Sequence, residues 1–397
     1  MIEKGALHGV RVIDISTVIA GPYAASYLAD FGAEVIKVEM PVSGDAFREM
    51  GPFVNGKSIR WQCFGRNKKS VTLDLRQEEG KQLFLKLISK GDVVIENFRT
   101  GTLDKWGISV SEMRKVNPDI IVTHVTGYGQ TGPNSHLAGF GTPCTAFSGV
   151  TYIMGYPDRP PVSPSFSLAD YIAGLNAALG TMIALYNRDA LGGKGQEIDV
   201  SLYESLFRMM DTIVAEYHTT GRVKERTPQM SGSASPSGTF LTKDDKWIVL
   251  VCSTDRTFEY LTRAMERDDL LKDYSSSKER LQSNAYIMDI TSNWCRSLTW
   301  KELHEICEKV GVPVNLIYSI ADIYEDPHYI ARQNIIEMPD TTFGTIKMPN
   351  VTPILSETPG SVNWIGQKLG ESNEEIFLGL LELDRSTYDD LIEKKIV

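Results

Sequence analysis

The sequence lacks the short motifs that mark most common enzyme classes. Its 397 residues include only five cysteines, none of them in a CxxC pair, and six histidines without an HExxH or HxxxH pair. These absences leave a metal site without support in the sequence. No GxSxG segment supplies a serine nucleophile and no GxxxxGK[ST] segment supplies a P-loop, which disfavours both a serine hydrolase and an ATP-driven ligase.

Positive charge and secretory features are scarce too. Lys and Arg total 41 against 51 Asp and Glu, and the net charge of −10 argues against nucleic acid or an anionic membrane surface as a partner. The first residues, MIEKGALHGVRVIDIS, lack the uninterrupted apolar core of a signal peptide. An odd number of scattered cysteines is typical of a reducing compartment, so we expect a cytoplasmic protein.

The cations that are present gather near the ends of predicted strands. They are Arg60, Arg66, Lys68, Lys69, Arg76, Arg99 and Lys105. On an acidic chain such a group is compatible with a phosphorylated ligand and also with an ordinary solvated surface. The charge count alone favours the second interpretation.

Strand and helix patterns alternate along the first 130 residues. The predicted strands are Val10–Ile15, Ala33–Glu39, Asp92–Phe98 and Asp119–Thr126, with helical stretches at Glu78–Lys90 and Val110–Val116. This alternation predicts an α/β fold with an open, mostly parallel, Rossmann-like sheet. We expect a large domain in residues 1–225, a smaller α+β domain in 226–330 that opens with a hairpin, and a return to the large domain in 331–397.

The segment Gly127–Gly132 matches GxGxxG and follows a predicted strand. Pro133 and Asn134 come next, and no helix begins there to receive a pyrophosphate. We therefore do not expect a dinucleotide cofactor.

A carboxylate stands near the start of the most apolar long segment, which runs from Leu168 to Tyr186 and contains many Ala and Gly residues. Its polar members Asp170 and Asn176 indicate a buried helix rather than a membrane span. Ser167 and Asp170 have the spacing of a capping box, in which an acidic residue at the third helical position is stabilised by the helix dipole. Spacing alone therefore gives Asp170 a structural role.

Six segments in the same order resemble the class III CoA-transferase family, of the CaiB/BaiF type. They are AGPYAASYLADFGAEVIKVE, RNKKSVTLDL, ENFRTGTLDKWG, VTGYGQTGP, the D-x-x-x-G of Asp170–Gly174, and GKGQEIDVSLYES. The family includes formyl-CoA, carnitine and succinyl-CoA:dicarboxylate CoA-transferases. DPHYIAR and MPNVTPILSETPG extend the resemblance to nearly the whole chain, and TLDKWG, LADYIAG and LSETPGS are closest to the succinyl-CoA:malate type.

The resemblance implies a set of functional residues. Asp170 becomes the nucleophile, and a carboxylate with an ordinary pKa near 4 is ionised at pH 7 without an adjacent base. Gly174, one turn further on, is expected to leave room beside it. The implied CoA contacts are Val18, Ala20, Leu73, Arg76, Asn97, Phe98, Arg99 and Lys105, of which the three cations would face phosphates. Some relatives have basic residues where Met40 and Pro41 stand here.

The resemblance also implies the reaction and its partners. CoA is a substrate and product rather than a permanently bound cofactor, and it passes from an acyl-CoA donor to a free carboxylic acid through aspartyl anhydride and aspartyl-CoA thioester intermediates. Backbone N–H groups near Gly232 and Gly238 are candidate oxyanion donors. Family members form interlinked homodimers, and we expect the same here.

Two alternative functions remain open at this stage. The α-methylacyl-CoA racemases of the same superfamily place a histidine and an aspartate in a Gly-His-Asp stretch, where this chain has Gly139-Phe140-Gly141. Phenylalanine cannot move protons, and His136 is the nearest substitute. A non-catalytic CoA-binding protein is the other alternative. Arg48 and Arg208 are candidates to bind the distal carboxylate of a dicarboxylic acid, although both are more typical of structural ion pairs.

Overall fold

The computed structural model describes residues 5–227 and 234–397. The strands are β1 (Arg11–Asp14), β2 (Glu34–Glu39), β3 (Phe53–Val54), β4 (Lys57–Ser58), β5 (Lys68–Thr72), β6 (Val93–Glu96), β7 (Ile121–Thr126), β8 (Glu197–Ser201), β9 (Ser237–Leu241), β10 (Trp247–Val251), β11 (Val314–Leu316), β12 (Ile335–Asp340) and β13 (Gly344–Pro349).

The helices alternate with these strands in the first half of the chain. They are α1 (Ala20–Asp30), α2 (Ile59–Phe64), α3 (Glu78–Ile88), α4 (Thr102–Trp106), α5 (Val110–Val116), α6 (Gly141–Phe147), α7 (Val150–Ile153), α8 (Leu168–Leu191), α9 (Leu202–Phe207), α10 (Ile213–Thr220), α11 (Asp255–Ala264), α12 (Leu271–Tyr274), α13 (Ser277–Gln282), α14 (Asn284–Ser297), α15 (Trp300–Val310), α16 (Ile320–Glu325), α17 (Pro327–Ala331) and α18 (Arg385–Glu393). The described chain also contains short 3-10 segments at Ala46–Glu49 and Asp268–Leu270 and a π-helical segment at Glu375–Leu380.

The main sheet has six strands in the order β5-β2-β1-β6-β7-β8, and every neighbouring pair is parallel. Successive side chains of a strand point to opposite faces, and both faces of this sheet are covered. Val12 packs in the layer that contains α1 and α8, whereas Ile13 packs in the layer that contains α3 and α18. The α/β fold with an open parallel sheet is thereby confirmed.

The chain divides into two compact units. The first comprises Met1–Thr151, Ser163–Gly221 and Arg332–Val397, and the second comprises Tyr152–Val162 and Arg222–Ala331. The predicted boundaries lay at 225/226 and 330/331, and the sequence did not indicate that residues 152–162 join the second unit. That unit contains the antiparallel sheet β11-β10-β9, in which β9 and β10 form the hairpin expected from the sequence.

The last part of the chain lies along the edge strand β5 of the main sheet. The N–H of Ser70 donates to Gln367 Oε1 and the N–H of Thr72 donates to Asn373 Oδ1, both at 2.8 Å. An uncovered edge strand would expose these N–H groups to other chains. The C-terminal residues therefore protect the sheet that carries the site described below.

Helix α8 is the one described helix that is long and apolar enough to span a membrane. In its most apolar stretch 44% of the residues are buried, and the helix packs against α1, β7 and β8. Such packing is that of a core helix, as the sequence predicted.

Candidate active site

Loops that follow β1, β6 and β7 meet the first turn of α8 around one cavity of about 300 Å³. The carboxyl ends of parallel strands are the usual place for ligands in such sheets. Six of the residues predicted from the sequence line this cavity: Val18, Ala20, Asn97, Phe98, Arg99 and Asp170. The fold therefore brings the predicted nucleophile and most of the predicted CoA contacts to one place.

Asp170 is the third residue of α8, and its carboxylate lies directly over Gly141, the first residue of α6. A Cβ atom at position 141 would lie only 2.0 Å from Asp170 Oδ2, closer than real Cβ contacts come. The absence of a side chain at Gly141 is therefore a condition for the position of the Asp170 carboxylate. In the sequence, Gly141 stands out only as part of Gly139-Phe140-Gly141, which departs from the racemase pattern.

The predicted capping box is absent. Ser167 precedes α8 as expected, but its side chain makes no cap hydrogen bond to the described first turn of the helix. No described side chain donates to the carboxylate of Asp170 either. The prediction that a cap holds the nucleophile is wrong, and the carboxylate is available to the cavity.

The pKa of Asp170 also departs from the expected ordinary value. Burial raises it to about 6, because removal from water disfavours the charged form, and the N–H of Asp170 itself offsets only part of this effect. With the pKa one unit below pH 7, roughly nine in ten of these carboxylates are still ionised at that pH.

Gly174 serves a different purpose from the one predicted. A Cβ atom there would lie 2.8 Å from the carbonyl oxygen of Ala20 and 3.0 Å from the Tyr23 ring. The glycine thus allows α1 to pack closely on α8. Because Ala20 begins α1, this close approach brings a predicted CoA contact to the helix that carries Asp170.

The loop after β1 is held by side chains on two other elements. The amide of Asn97 accepts from the N–H of Thr17 and donates to its carbonyl oxygen, both at 2.7 Å. Asp45 accepts from the N–H of Val18 at 3.1 Å, where Val18 has the left-handed φ of 65°. The amide of Asn97, one of the implied CoA contacts, is therefore used to hold this loop.

A buried cluster of charged groups supports that loop from below. It consists of Asp14, Lys37, Asp45 and Lys68, each of which is at most 2% exposed. Lys68 Nζ lies 3.0 Å from Asp14, and Lys37 Nζ lies 3.7 Å from Asp14 and 3.1 Å from Asp45. Burial raises the pKa of Asp14, but the two lysines and a hydrogen bond from Ser16 together reverse this, so that the pKa falls below its ordinary value.

Several cations that the sequence grouped as candidate ligands are structural. Strand β5 begins at Lys68, so that Lys68 lies inside the sheet. Lys69 pairs with Glu34 and Glu375, and Arg66 pairs with Asp30. These three cations are therefore engaged in ion pairs, and Lys68 is buried in the sheet rather than part of the solvated surface that the charge count favoured.

Leu73 and Arg76 line a neighbouring cavity of about 70 Å³, which Phe98 also lines. Arg76 pairs with Asp74 at 2.8 Å but stays 58% exposed, so its charge remains accessible to a ligand. Arg99 and Lys105 are exposed and, within residues 5–227 and 234–397, have no carboxylate partner. The predicted phosphate contacts thus include two cations without a competing ion pair.

Of the two glycines near which oxyanion donors were predicted, the structure describes one, Gly238. Gly232 lies outside the described residues. Gly238 is in strand β9 opposite Leu250. Backbone hydrogen bonds join Thr242 to Lys246 and Cys252 to Pro236, and every second pair of an antiparallel ladder is hydrogen-bonded, so Gly238 and Leu250 form such a pair as well. The N–H of Gly238 is therefore used by the sheet, and the expectation of a loop donor there is wrong.

The other residues singled out in the sequence differ in their exposure and in their partners. Arg48 pairs with Glu39 through two contacts of 2.7 Å and stacks on Trp61, so its charge is structural as favoured. Arg208 is exposed and has no ion pair in the described part of the chain. Phe140 stands at the cavity with 68% of its surface exposed. His136 is exposed and is not one of the residues that line this cavity.

No three His, Cys, Asp or Glu side chains converge as metal ligands in the described residues. The site offers a partly buried carboxylate, backbone from three loops and nearby cations. These groups suit nucleophilic acyl chemistry on an anionic thioester.

The chain matches CoA-transferase family III over residues 7–373. It is 43% identical over 400 residues to the succinyl-CoA–L-malate CoA-transferase alpha subunit of Chloroflexus aurantiacus, covering 100% of this chain and 93% of that one. It is 42% identical to succinyl-CoA–D-citramalate CoA-transferase of the same species, covering 97% and 96%. A solved CAIB/BAIF family protein from Brucella suis matches with a TM-score of 0.83 and 30% identity, over 96% and 100% of the two chains.

Proposed function

The chain belongs to CoA-transferase family III, and from this premise we propose that it moves CoA from succinyl-CoA to a free dicarboxylic or hydroxy acid through covalent intermediates on Asp170. The family assignment confirms the resemblance found in the sequence motifs. CoA thioesters are the substrates of CoA-transferases, so an acyl-CoA and a carboxylic acid are the partners of this chain.

One observation carries the proposal. Asp170 shares a single cavity with Val18, Ala20, Asn97, Phe98 and Arg99, which the family resemblance assigns to CoA. A thioester held along these residues would have its reactive end beside the carboxylate. Positioning of this kind is a large part of catalysis in reactions between two bound groups.

The reaction begins with attack by a carboxylate oxygen of Asp170 on the thioester carbonyl carbon of the donor. The C–S bond breaks and gives an aspartyl-acyl anhydride with free CoA thiolate. The thiolate then attacks the Asp170 carbonyl carbon of the anhydride. This second step leaves an aspartyl-CoA thioester and releases the donor acid as a carboxylate.

The acceptor acid reverses the sequence. Its carboxylate attacks the aspartyl-CoA thioester, which gives a new anhydride and frees CoA thiolate again. The thiolate attacks the acceptor carbonyl carbon, so that the product acyl-CoA forms and the Asp170 carboxylate is regenerated. One thioester replaces another, and the exchange therefore needs no separate energy source.

The environment of Asp170 suits this role. A carboxylate whose pKa is about 6 is more basic than an exposed one and is still mostly ionised at pH 7. A site that excludes water also protects the anhydride and thioester from hydrolysis. The raised pKa is therefore compatible with a nucleophile and does not require a neighbouring base.

The substrate assignment draws on the relatives. The names of the two Chloroflexus proteins state succinyl-CoA as donor and malate or citramalate as acceptor. Their identity to this chain of 42% and 43% supports the same donor class and a hydroxy-dicarboxylic acceptor.

The proposed assembly is an interlinked homodimer in the cytoplasm. Support comes from an exposed apolar stripe on α8 formed by Leu179, Ile183 and Tyr186, which are 59%, 60% and 63% exposed. Exposed apolar residues that cluster in this way are typical of an interface. Native mass spectrometry of the wild type and of Ile183→Glu tests this assembly, and a wild-type monomer would contradict it.

The decisive experiment traps the acyl-enzyme. The protein is mixed with succinyl-CoA and hydroxylamine, and peptide mass spectrometry locates any hydroxamate. We expect a hydroxamate at Asp170 in the wild type and none in Asp170→Asn. A positive result would be followed by an acceptor screen that begins with malate, itaconate and glutarate.

Other outcomes point to the alternatives. If another acyl-CoA but not succinyl-CoA gives the hydroxamate, only the donor is wrong. If no acyl-CoA gives it, exchange of the α-proton in branched acyl-CoAs tests the racemase. Full biological activity of Asp170→Asn would indicate a non-catalytic CoA-binding protein.

A further inference from the structure

Glu96 is the last residue of strand β6 and directly precedes Asn97, Phe98 and Arg99, which line the cavity of Asp170. Only 3% of its surface is exposed. One of its carboxylate oxygens, Oε2, accepts from the N–H of Phe98 at 2.7 Å. The carboxylate therefore fixes the backbone at the point where the strand ends and the predicted CoA contacts begin.

His124 holds the other oxygen of the same carboxylate. It stands beside Glu96 on strand β7, is 6% exposed, and places Nδ1 2.5 Å from Glu96 Oε1. Its Nε2 lies 3.5 Å from Glu197 Oε2, on β8. Burial by itself would lower the pKa of His124, but the two carboxylates outweigh this effect and raise the pKa above its ordinary value. The charged form of the imidazole is thus favoured, and in that form Nδ1 donates to Glu96.

The loop that Glu96 holds is also joined to a second loop of the cavity. Asn97 follows Glu96 and exchanges two hydrogen bonds with the backbone of Thr17, in the loop after β1. Val18 and Ala20 follow in that loop and line the cavity as well. A displacement of the backbone after Glu96 would therefore act on predicted CoA contacts in both loops.

We propose that Glu96 and His124 are positioning residues for CoA: the imidazole fixes the Glu96 carboxylate, and this carboxylate holds residues 97–99 in the conformation that binds the thioester. The inference rests on the proposed function and adds residues that act on the substrate indirectly. In the part of the chain that the structure describes, neither side chain lines the cavity of Asp170, so both act through the loop that does. Without its partner on β7, the buried carboxylate would keep an unsatisfied oxygen, which is costly and favours a rearrangement of the loop.

A similar pair at the opposite end of β6 offers a comparison. Asp92 directly precedes the strand, accepts from the N–H of Arg11 at 2.8 Å and pairs with Arg188 at 2.9 Å. Asp92 and Glu96 thus each bind one backbone N–H and one cationic side chain. The cavity of Asp170 lies at the carboxyl ends of the strands, whereas Asp92 lies at the amino end of β6. A purely structural pair and a positioning pair can therefore be compared within one strand.

The test measures the binding of free CoA by isothermal titration calorimetry and the steady-state kinetics of CoA transfer from succinyl-CoA. His124→Phe keeps a planar ring but removes the donor to Glu96. We expect it to raise the Kd of CoA and the KM for succinyl-CoA by about tenfold, the lower end of the usual effect of a hydrogen bond to a charged group. The kcat should stay close to the wild-type value, because a loss of binding that is equal in the ground state and the transition state changes KM alone.

Two conservative variants sharpen this expectation. His124→Gln supplies an amide N–H to Glu96 and should restore part of the affinity for CoA. Glu96→Gln keeps an acceptor for the N–H of Phe98 but loses its charge, so its Kd for CoA should rise less than that of His124→Phe. Circular dichroism melting confirms that each variant is folded, and His124→Gln and Glu96→Gln cover the case in which His124→Phe does not fold.

Asp92→Asn is the matched control for Glu96→Gln, because each replaces a carboxylate at one end of β6 by its amide. It should lower the melting temperature and leave the Kd of CoA and the KM for succinyl-CoA unchanged.

Three results would overturn the inference while the proposed function stands. They are an unchanged Kd and KM in the Glu96 and His124 variants, an equal rise of both in Asp92→Asn, or a fall in kcat with KM unchanged. If the wild type neither binds CoA nor forms a hydroxamate with any acyl-CoA, the proposed function itself is contradicted. The two failures are therefore distinguishable.

Discussion

Asp14 and Asp170 lie in two regions of the first unit. Both carboxylates are removed from water, but their pKa values shift in opposite directions. Asp14 is fully buried between Lys37 and Lys68, and its pKa is lowered. Asp170 is partly buried at the start of α8 without a described cationic partner, and its pKa is raised to about 6. Burial raises both pKa values, and for Asp14 the charges of Lys37 and Lys68, with a hydrogen bond from Ser16, reverse the direction. A structural carboxylate is thus neutralised, whereas the proposed nucleophile is left unpaired.

The largest expected effect comes from Asp170→Asn. It removes the proposed nucleophile, so CoA transfer should fall by at least about a thousandfold. Stability at pH 7 should be unchanged or higher, because the variant no longer buries an unpaired charge. Steady-state kinetics and thermal melting measure the two effects. An active variant would contradict the proposed role of Asp170, and an unfolded one would show that Asp170, like Asp14, stabilises the fold.

The reverse pattern is expected for Asp14→Asn. Two buried lysines lose a counter-charge, and breaking a buried ion pair costs about 3–5 kcal/mol of the free energy of unfolding. Urea unfolding followed by fluorescence measures this loss. The double variant with Lys68→Met should recover part of it, since the second change removes one of the uncompensated charges. A loss below about 1 kcal/mol would contradict the structural role.

Gly141→Ala should affect activity more than stability. Its new Cβ would overlap Asp170 Oδ2, and a displacement of about 1 Å at a reacting group costs about a hundredfold in rate. Hydroxamate formation measures the rate. Gly379→Ala is the control, because a Cβ there meets no atom within 4 Å. Equal rates in the two variants would show that the carboxylate does not need the space over Gly141.

The smallest expected effect is that of pH. Because the pKa of Asp170 in the folded protein is raised to about 6, the rate of CoA transfer at limiting succinyl-CoA, measured without hydroxylamine, should decline below that pH, to roughly a tenth at pH 5. The same raised pKa of Asp170 also determines how the stability of the fold depends on pH. A raised carboxyl pKa favours folding at low pH, and this contribution is lost as the pH rises through about 6.

Rate profiles and melting curves of the wild type and Asp170→Asn between pH 5 and 8 test this prediction. The wild type should gain stability relative to the variant as the pH is lowered. A rate that stays constant down to pH 5 would mean that Asp170 has an ordinary pKa.

Local patterns predicted the sheet well because each strand is a short apolar run that is buried on both faces. The expected strands Ala33–Glu39 and Asp119–Thr126 became β2 and β7 with ends shifted by one or two residues. The edge strand was less well predicted. Lys68 and Lys69 look like surface residues in the sequence, and only the contacts with Asp14 and Glu34 show that they belong inside β5.

The site was predicted in part. The D-x-x-x-G segment predicted Asp170, which lines the cavity, whereas its Gly174 packs against α1 and the capping-box spacing around Ser167 did not produce a cap. A three-residue spacing permits such a hydrogen bond without requiring it. Gly141 and Asp45 were not assigned a role, since neither contact with the site is visible from neighbours in the sequence.

By itself, the sequence determined the α/β architecture, the core position of α8 and the family to which the chain belongs, because these depend on local periodicity and on motifs in a fixed order. The tertiary structure decided which charges are neutralised. Asp14 and Lys68 are 54 residues apart in the sequence, which gives no sign that their side chains lie 3.0 Å from each other. A pKa depends on the distance between charges and on access to water, and both are set only when distant segments pack together.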